Sequence, residues 1–545
     1  MHEGGRTPKW SKTVGIAAAG GALFLATGSV MAQTPLPTAS ASCLGTMKCD
    51  GTISWPSPEG PVGGGSYSPL GQINTGNVTE LKVAWKLNEP SMVGGMEDYP
   101  IVVGDVAYLE GPYSSVLAVN ATTGATIWHS TPKTGFFASA YGANSRGVAV
   151  GGGRVYLLTK DDHRIAINAQ TGAVDDNVVV ANARADDTES APALYDDGLV
   201  FVGSAGGDSG VRGYEEARNA ATGALVWKDY ATPGLGSGGW VSHAAQGGGA
   251  TWMNPTPGPD GLLYDSTGNP SPDLYGQERP GADKWTDSII AVNMKTGKRV
   301  WAYQMVPHDM WDYDSASPPV VFKTASGWVV GEADKGGYWT ELNALTGSPV
   351  TLPEPFVTEN HVMPPTNGTY VLNWPGVLGG SEWSPVSYDP RTQYAYVQGN
   401  NIPMLETGKD QDTKPTAGGL VFGTDVREPP GQKQVPTGTF TAFNVGAGTA
   451  AWQDKMVAPT TGGIVTTAGG IALDGVDNGA FEVMNAANGK ALGTTNVGIS
   501  IGRAPAVNEV NGKEYVLLPR GGSLNFQYSK DGYHAGWIAF ALPSM

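Results

Sequence analysis

The sequence predicts an all-β fold made of many short strands, and three observations point to it. Gly accounts for 79 of the 545 residues, about twice its usual share of roughly 7%. The chain also has 16 Trp and 21 Tyr, and glycine-rich turns between aromatic segments are typical of strands. An apolar strand followed by an Asn-x-x-Thr-Gly turn recurs along the chain, and Trp often lies in the strand after the turn.

The recurring turns divide the chain into units of similar length. Their glycines are Gly124, Gly172, Gly223, Gly297, Gly347, Gly448 and Gly489. The spacings are 48, 51, 74, 50, 101 and 41 residues, and VSYDPRTQYAYV (Val386–Val397) supplies one more unit inside the longest gap. A unit of about 40–50 residues with about four strands is the size of a propeller blade. We therefore predict an eight-bladed β-propeller of four-stranded antiparallel blades over residues 51–545. The extra length in the 74-residue spacing is expected to form a loop on one face.

The first 32 residues are typical of a secretory signal peptide. Three basic residues precede an apolar run over residues 14–26, and Val30-Met31-Ala32 follows as a cleavage site. A membrane anchor is the alternative, but the run is rich in Gly and Ala and shorter than the about 20 residues that a spanning helix needs. We expect cleavage after Ala32, a periplasmic location, an N-terminal extension over residues 33–50 and no integral membrane segment in the mature chain.

Charge and cysteine content exclude some classes of protein. Without residues 1–32 the chain has 30 basic and 49 acidic residues, a net charge of −19. This acidity argues against binding to nucleic acid or to an anionic membrane surface. Cys43 and Cys49 are expected to form one local disulfide in an oxidising compartment. No Cys-x-x-Cys-His motif occurs, so we expect no covalent c-type haem on this chain.

One stretch, WAYQMVPHDMWDYDSASPP (Trp301–Pro319), places four ionisable side chains among aromatic residues and methionines. They are His308, Asp309, Asp312 and Asp314. Only 15% of the chain is charged, so this cluster is unusual.

Together with the repeats, this stretch resembles the PQQ-dependent alcohol dehydrogenases, the quinoprotein methanol and ethanol dehydrogenase family. The opening segment Trp55–Trp85 is similar to the family's start, and RGVA, GVRGY, GGGATW, STGNPSP and PHDMWDYD follow in the family's order. The resemblance covers nearly all of the mature chain. It implies that pyrroloquinoline quinone (PQQ) binds in the central funnel of the propeller beside one metal ion. It also implies oxidation of an alcohol (primary or secondary, a sugar or a polyol) and electron transfer to a cytochrome c or similar acceptor.

For the chemistry and the metal, the resemblance implies four residues. Asp312 is expected to be the catalytic base and a metal neighbour, although an Asp at a strand end often only caps a turn. Asp314 matches the position that marks lanthanide-using members, and its alternative is to face water or a loop N–H. Asp208 stands where the family has a Glu, and because Asp is one methylene shorter, either the ion lies nearer this blade or the contact is lost or water-mediated. Asn269 is expected to supply an amide ligand, although an Asn beside Pro is also typical of a turn. Added carboxylate charge suits a trivalent ion, but the sequence leaves Ca²⁺ and a lanthanide both open.

For the cofactor, the resemblance implies a further set of residues. Trp252 in GGGATW is expected to stack on the quinone, and Arg146 to pair with its carboxylates. Lys335 is expected near the quinone carbonyls, where a cation stabilises developing negative charge. Glu97 and Asn400 are expected as further polar contacts.

Two positions depart from the family. Ala140-Tyr141 stands where many members have adjacent cysteines over the quinone, and we expect Tyr141 to replace that lid by ring stacking. The alternative is an open wall that admits a larger substrate. Glu189 stands where the family has a Thr, and a carboxylate there would repel the carboxylates of the quinone.

A second class of function shares the same repeats. A non-catalytic binding or assembly propeller, such as the outer-membrane assembly lipoprotein with PQQ-like repeats, would need neither the acidic set nor the basic pair Arg146 and Lys335. A lipoprotein would also need Cys directly after the signal cleavage, where this chain has Gln33. An enzyme that has lost its cofactor is a third possibility, motivated by the departures at Tyr141 and Glu189.

Overall fold

Alternating apolar residues form short strands in every predicted unit of the repeat. The computed structural model describes residues 48–49, 52–60, 65–89, 96–135, 146–183, 188–234, 240, 247–409, 419–430, 436–521 and 535–543. All of these residues belong to one unit, Thr38–Met545. The expected signal peptide, most of the N-terminal extension, Cys43 and the side chain of Cys49 lie outside the described residues.

Within the described ranges, eight sheets of four or more strands, which we call sheets A to H, follow the sequence repeats. Sheet A joins the two ends of the described chain, in the order Lys48–Cys49, Thr52–Ile53, Ala506–Val510, Lys513–Arg520, Gly536–Ala541 and Lys82–Asn88. Sheet B contains Ile101–Val103, Val106–Glu110, Val116–Asn120 and Thr126–Ser130. Sheet C contains Ala149–Gly151, Arg154–Leu158, His163–Asn168 and Val174–Val179. Sheet D contains Leu194–Asp196, Leu199–Val202, Tyr214–Asn219 and Leu225–Tyr230.

The second half of the chain continues the pattern. Sheet E contains Thr256–Pro257, Leu262–Thr267, Ser288–Asn293 and Arg299–Gln304. Sheet F contains Val320–Thr324, Gly327–Ala333, Tyr338–Asn343 and Glu354–Pro355. Sheet G contains Ser387–Asp389, Tyr394–Asn401, Thr437–Asn444 and Thr449–Met456. Sheet H contains Tyr67–Ser68, Ile464–Thr467, Ile471–Gly475, Ala480–Asn485 and Ala491–Asn496.

Smaller elements connect these sheets. One ribbon pairs Gly247–Gly248 with Pro270–Ser271, and a three-stranded sheet contains Val371–Asn373, Met404–Glu406 and Val426–Arg427. Short 3₁₀ segments are Val78–Glu80, Pro112–Ser114, Gly207–Ser209 and Pro259–Gly261. The described residues contain no α-helix, as the composition predicts. Nor does any helix in this part of the chain have the length and apolarity to cross a membrane.

The Asn-x-x-Thr-Gly sequence forms the same turn in each of the five units that contain it, those of sheets B to F. In sheet B, the side-chain oxygen of Asn120 accepts hydrogen bonds from the backbone N–H of Thr122 (3.0 Å) and Thr123 (3.1 Å). Gly124 closes the turn by donating to the Asn120 carbonyl at 2.8 Å. Its φ of +69° favours glycine. The same hydrogen bonds form at Asn168, Asn219, Asn293 and Asn343.

Tryptophans of one sheet dock on the turn of the next sheet. Trp227 of sheet D donates its indole N–H to the carbonyl of Met294 in sheet E at 2.8 Å. A Cβ built on Gly297 of that turn would lie 2.5 Å from the same indole, so glycine also provides the space for the ring. Four other indoles lie over a turn glycine in the same way: Trp85 on Gly124, Trp128 on Gly172, Trp301 on Gly347 and Trp452 on Gly489. Five junctions in the described part of the chain therefore share one repeated contact. The turn glycines of sheets D and G differ, since Gly223 faces Arg164 and Val178 and Gly448 faces Thr351.

The apolar core lies between adjacent sheets. Leu262, Tyr264 and Ile289 of sheet E pack against Val330 and Leu342 of sheet F, and all five side chains are buried. Burying one such side chain contributes about 1.5–3 kcal/mol. The strands of sheets B to H are thus apolar where they face the neighbouring sheet.

The long spacing between Gly223 and Gly297 is filled by two segments around sheet E. Residues 231–255 precede its first strand and residues 268–287 follow its second strand. Because Thr256 pairs with Tyr264, both segments leave from the same end of the sheet. This agrees with the predicted loop on one face, and the loop includes Trp252 and Asn269.

The first prediction concerns the indole–glycine contact. Gly297→Ala adds a Cβ at a φ of +67° and against Trp227. We expect it to lower the free energy of unfolding by about 1–3 kcal/mol more than backbone strain alone. Gly261→Ala is the matched control, since Gly261 has a φ of +69° with no atom within 4 Å of the added Cβ. Urea denaturation compares the two, and equal losses would show that the contact does not position the sheets.

The second prediction concerns buried carboxyl groups. Burial, opposed by a hydrogen bond from Asn373, raises the pKa of Glu406 from 4.5 to about 8. The folded chain then holds this proton more tightly than the unfolded chain. The contribution of Glu406 to the free energy of unfolding is therefore greatest below about pH 4.5 and is lost as the pH rises towards 8. Burial likewise raises the pKa to about 7 at Glu59, Asp98, Asp265, Asp334 and Glu514.

Thermal unfolding between pH 5 and 9 tests this assignment. Glu406→Gln keeps a hydrogen-bond acceptor without the titration, so its Tm should fall less with rising pH than that of the unmodified chain. The exposed Glu428→Gln is the control and should follow the unmodified chain. A Glu406→Gln profile as steep as the original would contradict the role of this carboxyl group.

Candidate active site

The WDYD stretch forms a tight loop between sheets E and F. The Asp309 carboxylate accepts backbone hydrogen bonds from Trp311 at 2.9 Å and Tyr313 at 2.8 Å, which fixes the loop. Trp311 and Tyr313 stack with ring centroids 5.6 Å apart, and His361 meets Tyr313 edge-on at 5.0 Å. Asp312 lies between these two residues in sequence and has a φ of +65°. The aromatic residues therefore cover one side of the acidic cluster.

Lys335 connects the acidic residues of this loop. Its ammonium lies 3.1 Å from Asp312, 3.0 Å from Asp314 and 3.7 Å from Glu382. The Lys335 backbone N–H donates to the Asp314 carbonyl at 3.0 Å, and its own carbonyl accepts from Gly380 at 2.6 Å. Sequence reasoning placed Lys335 near a cofactor and did not anticipate its pairing with the two aspartates.

Burial makes these charges interdependent. Burial alone would lower the pKa of Lys335, but Asp312, Asp314 and Glu382 outweigh it and hold the pKa well above its usual value. Burial raises the pKa of Asp312 well above its usual range, although Lys335 opposes this shift. Burial also raises the pKa of Glu382 to about 7. The ionised form of Asp312 thus depends on nearby positive charge.

The structure brings the four expected metal residues together. Asn269 donates its backbone N–H to the Asp314 carboxylate at 2.5 Å, and its side chain hydrogen-bonds to Asp208. Asp208 is half-buried in the 3₁₀ segment Gly207–Ser209. Burial raises its pKa to about 6, and Asp314 adds to the shift. Asp314 therefore meets a loop N–H, as its alternative interpretation held, and also an ammonium group.

The donor set of this pocket fits a hard cation. Asp208, Asp312, Asp314 and Glu382 surround one ammonium, so negative charge is in excess. Carboxylate and amide oxygens are the ligands that Ca²⁺ and similar ions prefer. Among the described residues, no three acidic, His or Cys side chains are already arranged to hold a metal ion. The ammonium of Lys335 lies between two of the carboxylates instead.

Trp252 lies beside this pocket, and a glycine allows the approach. A Cβ built on Gly268 would lie 2.6 Å from Asp314 and 3.2 Å from the Trp252 indole nitrogen. The guanidinium of Arg146 lies 4.8 Å from the Trp252 ring centroid and 5.7 Å from that of Trp383. The expected stacking residue and the expected carboxylate partner are thus adjacent.

Glu97 joins Arg146 to a second arginine. Arg146 pairs with the Glu97 carboxylate at 3.1 Å, and Arg503 pairs with the same carboxylate at 3.2 Å. Lys160 is a further buried base nearby, and burial, together with Arg146, lowers its pKa to about 8. This side of the site is therefore rich in cations, as a site for an anionic ligand requires.

Asn400 lies behind Lys335. Its backbone N–H donates to the Gly380 carbonyl at 2.6 Å, and its side-chain oxygen accepts from Thr460 at 2.9 Å. The side-chain amide nitrogen is buried without a hydrogen-bond partner among the described residues. It is available to a bound molecule.

Two departures from the family have different outcomes. Ala140 and Tyr141 lie outside the described residues, so the stacking hypothesis stays a prediction. Glu189 is buried and accepts a hydrogen bond from the Tyr214 hydroxyl at 3.2 Å. It also acts electrostatically on Lys160, which offsets the repulsion that its charge implies.

Sequence reasoning missed several charged residues around the site. They are Lys160, Asp273, Glu382 and Arg503, all less than a tenth exposed. The signal for Glu382 was available, because GGSEWSP places an acid between glycines and a Trp. Asp273 directly follows the STGNPSP motif, whereas Lys160 and Arg503 have no distinctive flanking pattern.

Comparison with known proteins agrees with these features. Residues 55–362 match the PQQ family described as glucose/ethanol/alcohol dehydrogenase, beta-propeller domain. A quinohemoprotein alcohol dehydrogenase of Comamonas testosteroni is 30% identical over 536 residues, covering 86% of this chain and 73% of that protein. A lanthanide-dependent methanol dehydrogenase of Methylacidiphilum fumariolicum (strain SolV) is 29% identical over 529 residues, covering 87% and 84%.

Solved structures give the same assignment. A europium-containing methanol dehydrogenase is similar with a TM-score of 0.81 and 27% identity, covering 90% of this chain and 98% of the other. The all-β sheets and the buried site described above accord with this relationship. The chain belongs to the β-propeller family of PQQ-dependent alcohol dehydrogenases.

Proposed function

We propose that this chain is an exported, eight-bladed quinoprotein that oxidises an alcohol with PQQ and one metal ion. The observation that carries the proposal is the convergence of Asp312, Asp314 and Glu382 on the ammonium of Lys335, beside Trp252 and Arg146. A binding or assembly propeller would gain no stability from burying these carboxylates together. Eight consecutive sheets along the chain support the proposed number of blades.

Asp312 is the proposed catalytic base. A buried carboxylate within reach of the alcohol hydroxyl takes its proton as the carbinol carbon gives up hydride. Bound PQQ would supply the hydride acceptor and the metal ion a Lewis acid. Since burial raises the pKa of Asp312, Lys335 and a bound cation keep it ionised and able to accept a proton. Trp311 and Tyr313 exclude water from this side of the site.

The remaining residues hold the two ligands. Asp208, Asn269, Asp312 and Asp314 are the proposed metal ligands. Trp252 is proposed to stack on PQQ, and Arg146 to pair with its carboxylates. Lys335 stabilises negative charge on the quinone oxygens. Further proposed contacts are Glu97, Asn400 and Tyr141.

Location and electron transfer complete the proposal. The N-terminal 32 residues support export to the periplasm. The net charge of −19 that remains after their removal suits a basic partner, and we propose a cytochrome c or similar acceptor.

Reconstitution tests the proposed reaction. The purified mature chain, loaded with PQQ and either Ca²⁺ or a light lanthanide, should reduce an artificial dye with at least one of a panel of alcohols. Asp312→Asn should lower kcat by about 10²–10⁴-fold, the usual contribution of a general base. Asp474→Asn, which replaces a fully buried carboxylate in sheet H, is the control and should keep its activity. Absence of dye reduction with both ions would overturn the function, and full activity of Asp312→Asn would overturn the role of the base.

Asp314 decides the choice of metal. Its carboxylate adds charge to the site, and a relative is named a lanthanide-dependent methanol dehydrogenase. We therefore propose a lanthanide as the preferred ion. Asp314→Asn keeps an acceptor for the Asn269 N–H but removes the charge. It should weaken activation by La³⁺ by at least about tenfold and activation by Ca²⁺ less. If Ca²⁺ alone activates the original chain as well as La³⁺ does, Asp314 has a structural role only.

A further inference from the structure

One buried carboxylate near the metal residues has no role in the reaction proposed above. Asp273 is completely buried, and neither of its carboxylate oxygens has a hydrogen-bond partner among the described residues. Its main chain is fully used, since the N–H donates to Val421 at 3.1 Å and the carbonyl accepts from Arg279 at 3.0 Å. A buried charge without a partner is costly, so this side chain is either neutral or compensated by a bound cation.

The backbone places Asp273 at the metal residues. Val421 accepts from the Asp273 N–H and donates its own N–H to the Asp208 carbonyl at 2.7 Å. One residue therefore fixes the main chain of both aspartates. Asn269 lies four residues before Asp273 and pairs with Asp314. The three acidic groups that act electrostatically on Asp273 are Asp208, Asp312 and Asp314.

The nearby bases compensate Asp273 only in part. Arg279 acts electrostatically on Asp273 with the opposite sign to the three aspartates, but it forms no hydrogen bond with the Asp273 carboxylate. Arg279 forms an ion pair with Asp283 at 2.6 Å and otherwise donates to backbone carbonyls. Lys335 is shared by Asp312, Asp314 and Glu382. Four aspartates therefore lie around a site with a single ammonium, and the unpartnered side chain of Asp273 belongs to this group.

We propose that Asp273 is an additional carboxylate of the metal site and that it favours a trivalent over a divalent ion. The inference rests on the proposed function, in which this site holds a metal. Attraction between two charges grows with their product, so an added carboxylate gains half as much again from a +3 ion as from a +2 ion. Oxygen donors also suit ions that take six to eight ligands.

Terbium luminescence measures this contribution without the reaction. The purified mature chain, free of PQQ and metal, is titrated with Tb³⁺, whose emission is sensitised by the nearby Trp252, and competition with Ca²⁺ gives the second affinity. Asp273→Asn and Asp273→Ser should weaken Tb³⁺ binding by about 10- to 100-fold, the usual effect of losing a residue that supports a metal site. The loss for Ca²⁺ should be smaller.

Controls separate a metal role from a structural one. Asp474→Asn removes an equally buried carboxylate whose neighbours are Gln398, Asp477 and Glu482, and it should leave Tb³⁺ affinity unchanged. The Tm of metal-free Asp273→Asn should not fall, because an amide needs no compensating charge, while the rise in Tm on adding Tb³⁺ should shrink. Asp273→Ser provides the same comparison if the Asn variant does not fold.

The outcomes distinguish the two proposals. An original chain that binds no Tb³⁺ would overturn the metal site of the proposed function, and this inference with it. An original chain that binds Tb³⁺ while the Asp273 variants bind it equally well, or lose Tb³⁺ and Ca²⁺ affinity to the same extent, would overturn the inference alone.

Discussion

At five junctions in the described part of the chain, the arrangement of neighbouring sheets depends on one contact, an indole of one sheet lying over the turn glycine of the next. The turn needs a glycine for its positive φ, and the absence of a side chain also leaves room for the ring. The indole N–H then satisfies a carbonyl of the same turn, as Trp227 does for Met294. The glycine thus meets the conformational and packing demands of the junction, and the indole meets its hydrogen-bonding demand. Asp208, Asn269 and Lys335 lie in segments between the second and third listed strands of sheets D, E and F, and the indole contacts join sheet D to sheet E and sheet E to sheet F.

The site concentrates a cost that other parts of the fold meet one residue at a time. Some buried charges in the sheets are neutralised by a partner, as Arg164 is by Asp176, and single buried carboxyl groups such as Glu406 have a raised pKa. Around Lys335 the carboxylates outnumber the bases, and burial raises the pKa of Asp312 and Glu382. Such an excess is stabilised only by added positive charge. We infer that the site is built for a bound cation and a ligand beside it, and that the apo chain is less stable than the loaded chain.

Much of the fold could be predicted from sequence because its determinants are local. The Asn-x-x-Thr-Gly turns and the following Trp are contiguous, so their spacing indicated repeated sheets. Motif position also identified Asp208, Asn269, Asp312 and Asp314, which the structure brings together. The ion pairs among the site residues were harder to predict, since Lys335 and Glu382 are separated by 47 residues and meet only through the packing of sheets F and G. The sequence around Asp273 does not show that its carboxylate lacks a hydrogen-bond partner. That is visible only when the structure places the neighbouring described residues.

The most direct test of the account is a calorimetric titration of PQQ into the purified mature chain, with a lanthanide present and with a chelator. We expect one PQQ to bind per chain when metal is present and PQQ to bind more weakly in the chelator, because the cation compensates the carboxylates beside the quinone. Failure to bind PQQ under both conditions would contradict the assignment of this pocket as a cofactor site.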